Sequence, residues 1–141
     1  MLTVNIICVG TLKEKYLADA VNEYEKRLRS YCRLTTVELK SSDMIEKHLS
    51  GKSYKIALCV EGIRLSSEEL ADKFTAVTNS GNSAISFVIG GAEGLPDDVK
   101  NMCDYKLSFS AMTFPHRIMR IILVEQIYRA FTIINNEKYH K

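Results

Sequence analysis

Chemistry in this sequence gathers where small and hydroxyl-bearing residues follow apolar runs. Gly90-Gly91-Ala92-Glu93-Gly94 comes directly after the run 84–89, apolar but for Ser86. Glycines at such a place let the backbone turn sharply and approach a ligand closely. The spacing matches neither G-x-G-x-x-G nor G-K-[ST], so the dinucleotide fingerprint and the P-loop are both missing. Residues alone leave a tight turn and a ligand loop equally open. A second stretch, Ser108-Phe109-Ser110-Ala111-Met112-Thr113, ends a strand-like run and leads through Phe114 to Pro115 and His116. Such a strand–helix connection offers unpaired backbone donors and acceptors to a ligand. Taken in isolation it reads more simply as a plain connection capped by Thr113, and His116 as a surface residue of the first helical turn.

The third stretch is the run after Pro115. Ile118, Met119, Ile121, Ile122, Leu123, Val124, Ile127, Tyr128, Ala130, Phe131, Ile133 and Ile134 point in nearly every direction around a helix axis. A helix that apolar must be covered on more than its core side. In so small a chain the expected cover is a second subunit, packed isologously. Arg120, Glu125 and Arg129 lie within that surface. Glu125 and Arg129 stand one turn apart, which suits an ion pair as well as an arginine facing an RNA phosphate. The chain ends Lys138-Tyr139-His140-Lys141, a cationic tail whose ring and imidazole can stack on a base, although terminal residues usually fray.

The elements that must position these groups alternate. Strands are expected at 2–9, 34–39, 55–60, 84–89 and 105–109, and helices at 13–31, from Ser66, from Pro96 to about Cys103, and from Pro115 to about Ile134. A short polar helix or loop is expected at 41–49. Tyr16, Leu17, Ala20, Val21, Tyr24, Leu28 and Tyr31 form the apolar stripe of the first helix. Ser66 with Glu69 makes a capping box. Strands alternating with helices predict an α/β fold around a mainly parallel sheet, with ligands beyond the carboxyl ends of the strands. That directs attention to the chain after Val60, after Ile89 and after Phe109.

Composition agrees with one soluble domain. The chain has 141 residues, 46% hydrophobic and 26% charged, which excludes a disordered or collagenous polymer. No apolar run reaches the ~20 residues of a membrane span, and no signal peptide is recognisable at the N-terminus. Cys8, Cys32, Cys59 and Cys103 show no metal-ligand spacing, and Cys8 and Cys59 read as small core hydrophobes. A cytoplasmic protein without metal or membrane association is expected. Net charge is only +2, but both ends are basic and the middle is acidic, a distribution that draws a phosphate backbone toward the ends.

Phe87 to Leu95, then Leu107 to His116, then Glu125-Gln126-Ile127-Tyr128-Arg129-Ala130, then terminal Tyr139-His140-Lys141 form a specific combination. In this order they resemble the RlmH family of bacterial large-subunit ribosomal RNA methyltransferases, minimal members of the SPOUT class. Val9-Gly10-Thr11-Leu12-Lys13 and Tyr24-Glu25-Lys26-Arg27-Leu28 are similar to it too, so the resemblance covers essentially the whole chain. This chain is shorter than usual around residues 41–53. The resemblance implies a trefoil knot in the C-terminal part of the sheet, a feature no residue pattern suggests because true knots are almost absent among folds. It implies an S-adenosylmethionine site lined by Leu58, Gly90, Ser108, Phe109, Ser110, Ala111, Met112 and Thr113. It further implies methylation of N3 of pseudouridine 1915 in 23S rRNA of assembled ribosomes, by a homodimer. Arg129, Tyr139 and His140 are then candidates for positioning the substrate, His140 carrying the side-chain type that titrates near neutrality. The residues themselves leave open methylation of a ribose hydroxyl and a non-catalytic RNA-binding role. A nucleotide-binding module is disfavoured by the missing fingerprints.

Overall fold

Period-two alternation of apolar side chains builds one sheet and feeds two cores, one on each face. The computed structural model describes residues 1–49 and 51–141. Its elements run β1 (Thr3–Val9), α1 (Lys15–Leu28), β2 (Arg33–Leu39), a 3-10 turn (Ser42–Met44), α2 (Ile45–His48), β3 (Tyr54–Arg64) and α3 (Ser67–Asn79). Then follow β4 (Ala84–Ile89), α4 (Asp97–Met102), β5 (Tyr105–Ser108) and α5 (His116–Ile134). The strands pair in the order β2-β1-β4-β3-β5, every pair parallel. The α/β architecture expected from the alternating pattern is present.

Val4, Ile6 and Cys8 of β1 and Ile85, Phe87 and Ile89 of β4 share one core with α1, α3 and α5. Ile7 and Val88 point the other way, onto Ile45, Leu49 and Val99. Helices on both faces are what a parallel sheet needs to bury its strands. α3 starts as expected: the Ser66 side chain accepts from the Glu69 amide (3.0 Å), and the Glu69 carboxylate accepts from the Ser66 amide (2.8 Å). Ser66→Ala should therefore lower stability by about 1 kcal/mol, and the melting temperature by about 4 °C. An unchanged melting curve would mean the box contributes nothing.

Several expectations need correction. The stretch 41–49 is not merely polar, because Ile45 and Leu49 are fully buried and anchor the second core; two apolar residues carry too little periodicity to reveal this. Ser50, in the segment read as shorter than usual, lies outside the described residues. Tyr16 is 72% exposed and leaves the α1 stripe, which begins at Leu17. Thr113 does not cap α5; Pro115 occupies the N-cap with no side-chain bond, its ring fixing φ at −55°. Ile127 is fully buried in the protomer and Arg120 nearly so, its Nη1 donating to Glu38 at 2.5 Å. Both belong to the interior and are not available to a subunit boundary.

The most consequential departure is β3. It runs past Val60 to Arg64, and both Leu58 and Ile63 stand opposite Leu107 of β5. The intervening Cys59, Val60, Glu61 and Gly62 form a bulge, which bends a strand and re-aims its side chains. A Cβ on Gly62 would lie 2.7 Å from the Leu107 carbonyl carbon, so only glycine lets β3 close back onto β5.

Candidate active site

The bulge of β3 and the ends of β4 and β5 frame a cleft of about 680 Å³, within the ~300–1,000 Å³ usual for small-molecule sites. Leu58 and the bulge form one wall, residues 89–95 another, and residues 108–110 and 112–116 the third. The three stretches expected to hold a ligand therefore meet in one place, although the first is a bulge within β3 and not its end. Of the residues carried over by resemblance, Leu58, Gly90, Ser108, Phe109, Ser110, Met112 and Thr113 line the cleft. Ala111 is exposed and stands outside the lining.

Each wall is shaped by short-range chemistry. The buried Ser108 hydroxyl donates to the Ser110 carbonyl (2.9 Å), and the Ser110 hydroxyl accepts from the Met112 amide (3.0 Å). These bonds hold the loop in a hydroxyl-stabilised turn. The glycine loop folds on itself, the Gly94 amide donating to the Gly91 carbonyl at 3.0 Å. A Cβ on Gly90 would fall 2.5 Å from the Gly94 carbonyl carbon. The loop is thus both a tight turn and a wall of the cleft, and the two readings of the glycines merge.

Charge enters through residues the sequence did not mark. Lys100 of α4 pairs with Glu61 of the bulge at 2.5 Å, and that hydrogen bond holds the Glu61 carboxyl below its ordinary range. Cys59 was expected in the core but lines the cleft; burial first and then Glu61 push its thiol up, which keeps it un-ionised and a poor nucleophile. His116 also lines the cleft, and its ring has no hydrogen-bond partner among the described residues.

The tail is docked, not frayed. Tyr139 donates to Glu125 (2.8 Å), meets the Tyr128 ring edge-on (4.8 Å between centroids) and has the Arg129 guanidinium 4.9 Å over its face. Desolvation, followed by the bonds to Tyr24 and Glu125, raises its phenol well above the ordinary range. Arg129 pairs with Glu125 at 2.7 Å, as the one-turn spacing allowed. Its Nη1 lies 3.0 Å from His140 Nδ1, and His140 Nε2 lies 2.5 Å from Glu68. Arginine only donates, so Nδ1 accepts and Nε2 carries the proton given to Glu68. The structure therefore brings Arg129, Tyr139 and His140 together but keeps them out of the cleft of their own chain. Met119 is the last cleft residue on α5; at ~1.5 Å per residue Arg129 lies about 15 Å further along the helix.

The family described as "Predicted SPOUT methyltransferase" matches residues 2–140. Ribosomal RNA large subunit methyltransferase H of Clostridioides difficile (strain 630) is 46% identical over 159 residues, covering 99% of this chain and 100% of that protein. The chain belongs to the RlmH family of SPOUT methyltransferases. The fold of this RlmH-family chain recurs in a methylase-family protein of Haemophilus influenzae Rd KW20, at TM-score 0.65 and 16% identity over 98% of this chain and 70% of that one. It also recurs in the SpoU methyltransferase AviRb of Streptomyces viridochromogenes, solved in complex with the cofactor AdoMet, at TM-score 0.51 and 12% identity over 96% of this chain and 61% of that one.

Proposed function

We propose that this protein is the S-adenosylmethionine-dependent methyltransferase that modifies N3 of pseudouridine 1915 in the 23S rRNA of assembled ribosomes. The observation that carries the reading is the convergence of the β3 bulge and the loops after β4 and β5 on one cleft, in a chain similar over its full length to large-subunit rRNA methyltransferases. Residues 1–141 act as one domain in the cytoplasm, with a trefoil knot in the C-terminal part of the sheet holding these loops together and no metal taking part.

The cleft suits the cofactor. Leu58, Ile89 and Leu95 offer apolar wall to an adenine ring, residues 108–110, 112 and 113 offer backbone groups, and Gly90 and Gly91 add no side chain where the chain leaves β4. S-adenosylmethionine supplies a methyl group already activated on a sulfonium. The protein's own tasks are to align the uracil ring, exclude water and accept the N3 proton.

A homodimer completes the site. Val60 and Met112 at the cleft are 46% and 72% exposed, and Ile118 on the outer side of α5 is 37% exposed. Beside them runs a groove of mixed character, with Leu65, Phe109, Phe114 and Ile122 on its wall together with Ser66, Ser67 and Gln126. A second copy packed there would bring its tail toward this cleft, which accounts for a cluster of Arg129, Tyr139 and His140 that stands far from its own. Ile122→Glu should leave a charge desolvated in such an interface and turn a dimer into a folded monomer at micromolar concentration. Sedimentation of the wild type as a well-folded monomer would refute the dimer.

The deciding assay is methyl incorporation into ribosomes from a strain lacking the enzyme, with the modified nucleotide identified by mass spectrometry. A methyl on N3 of pseudouridine 1915 is expected. A methyl on a ribose would reassign the activity, and none at all would leave an RNA-binding protein.

A further inference from the structure

Removal of the N3 proton requires an unprotonated acceptor of sufficient basicity at the cleft, and few groups there qualify. Five titratable side chains line it: Cys59, Glu61, Glu93, Lys100 and His116. Lys100 and Glu61 neutralise each other in their ion pair, which keeps the ammonium charged and the carboxylate a weak base. Burial raises the Cys59 thiol and leaves it protonated. Glu93 sits on the exposed turn between Gly91 and Gly94. Carboxylates are in any case about two units less basic than imidazole.

His116 stands apart from all of these. It is the first residue of α5, half-buried, and forms part of the cleft wall. On its other side lies the loop after β1, where a Cβ built on Gly10 would be 3.8 Å from His116 Nε2. The cations beside it on α5 are both engaged, Arg117 with Glu14 and Arg120 with Glu38. Cys8 behind them has its thiol pushed up to about 11 by burial. No described residue occupies either ring nitrogen. By contrast, both nitrogens of His140 are taken, by Arg129 and by Glu68.

We propose that His116 is the general base that receives the N3 proton of the target uracil ring. This rests on the reading of the protein as an N3-methyltransferase. The N3–H bond breaks as an N–H bond forms on the imidazole, and the N3 electron pair forms the bond to the methyl carbon. The methyl–sulfur bond breaks with its pair returning to sulfur, and the imidazolium later gives its proton to solvent.

The test compares wild type with His116→Ala and His116→Gln in single-turnover methylation of ribosomes from a deficient strain, between pH 5.5 and 9. Calorimetry with S-adenosylmethionine and melting curves accompany each variant. Both variants should bind cofactor and melt as wild type does, yet react about 100-fold more slowly or worse. They should lose the acid limb of the rate–pH profile, and free imidazole should partly restore His116→Ala. An NMR titration of the His116 ring in the wild-type protein should have its midpoint at the pH of that limb. Wild-type rates in both variants would overturn the proposal, as would slow variants that keep the acid limb and ignore imidazole. A ring titration far from the limb would overturn it too. If the wild-type protein itself transfers no methyl, the N3-methyltransferase reading falls and this proposal with it; failure of the variants' predictions alone leaves that reading standing.

Discussion

Gly90→Val is expected to abolish S-adenosylmethionine binding and to destabilise the protein at the same time. The simplest rationale for a glycine at this wall is room for a ligand, but the protein's own backbone makes the stronger demand. A Cβ at position 90 would meet the Gly94 carbonyl carbon at 2.5 Å, the Gly94 oxygen at 2.6 Å and the Leu95 amide nitrogen at 2.8 Å. Backbone on both sides cannot yield as a flexible side chain does, so the 90–95 loop must open. Overpacking of this kind costs roughly 1–3 kcal/mol, and the opened loop no longer walls the cleft. Calorimetry should detect no binding, and the melting temperature should drop. Gly91→Ala is the matched control, since its Cβ would meet only the Val9 side chain, at 3.2 Å. Wild-type affinity and melting in Gly90→Val would remove this loop from the cofactor site.

Deletion of Tyr139 to Lys141 should lower single-turnover methylation about 100-fold or more, the scale expected when a reacting group loses its positioning. Cofactor affinity should be preserved, because no tail residue lines the cleft. Most of the stability should survive as well. The deletion removes the Tyr139 ring from Tyr128 and its hydroxyl from Glu125, but leaves the Glu125–Arg129 pair and the α1, α3 and α5 core intact. The assay is run on purified ribosomes beside a cofactor titration and a melting curve. A wild-type rate in the truncated protein would sink the assignment of the tail. Tyr139→Phe and His140→Ala, which keep the chain full length, separate lost chemistry from any lost packing.

Much of the molecule is written in local patterns. The capping box at Ser66 and Glu69 involves residues three apart, and sequence spacing alone dictates its two hydrogen bonds. The alternation of Ile85, Phe87 and Ile89 against Val88 sets which face of β4 meets which core, because side-chain period in a strand is two. The glycines after Ile89 and the hydroxyls around Ser110 likewise mark strand ends, and parallel strands carry all their C-terminal ends to one edge. The motifs also sufficed to identify the family.

What the tertiary structure alone decided involves partners far apart in the chain. The bulge at 59–62 exists because Leu58 and Ile63 both face Leu107, a register that no stretch of β3 encodes by itself. It is the bulge that puts Cys59, Glu61 and, through α4, Lys100 at the cleft. α5 is apolar nearly all round, so its sequence has no direction. Only packing against α1 and α3 buries Ile127 while leaving Ile118 partly exposed. The tail's place depends in the same way on Tyr24 and Glu68, brought from α1 and α3. His116 acquires its free imidazole at the cleft from what surrounds it and not from its neighbours in sequence. Local periodicity specifies elements, whereas a site is specified by long-range contacts, and those form only when the whole chain has packed.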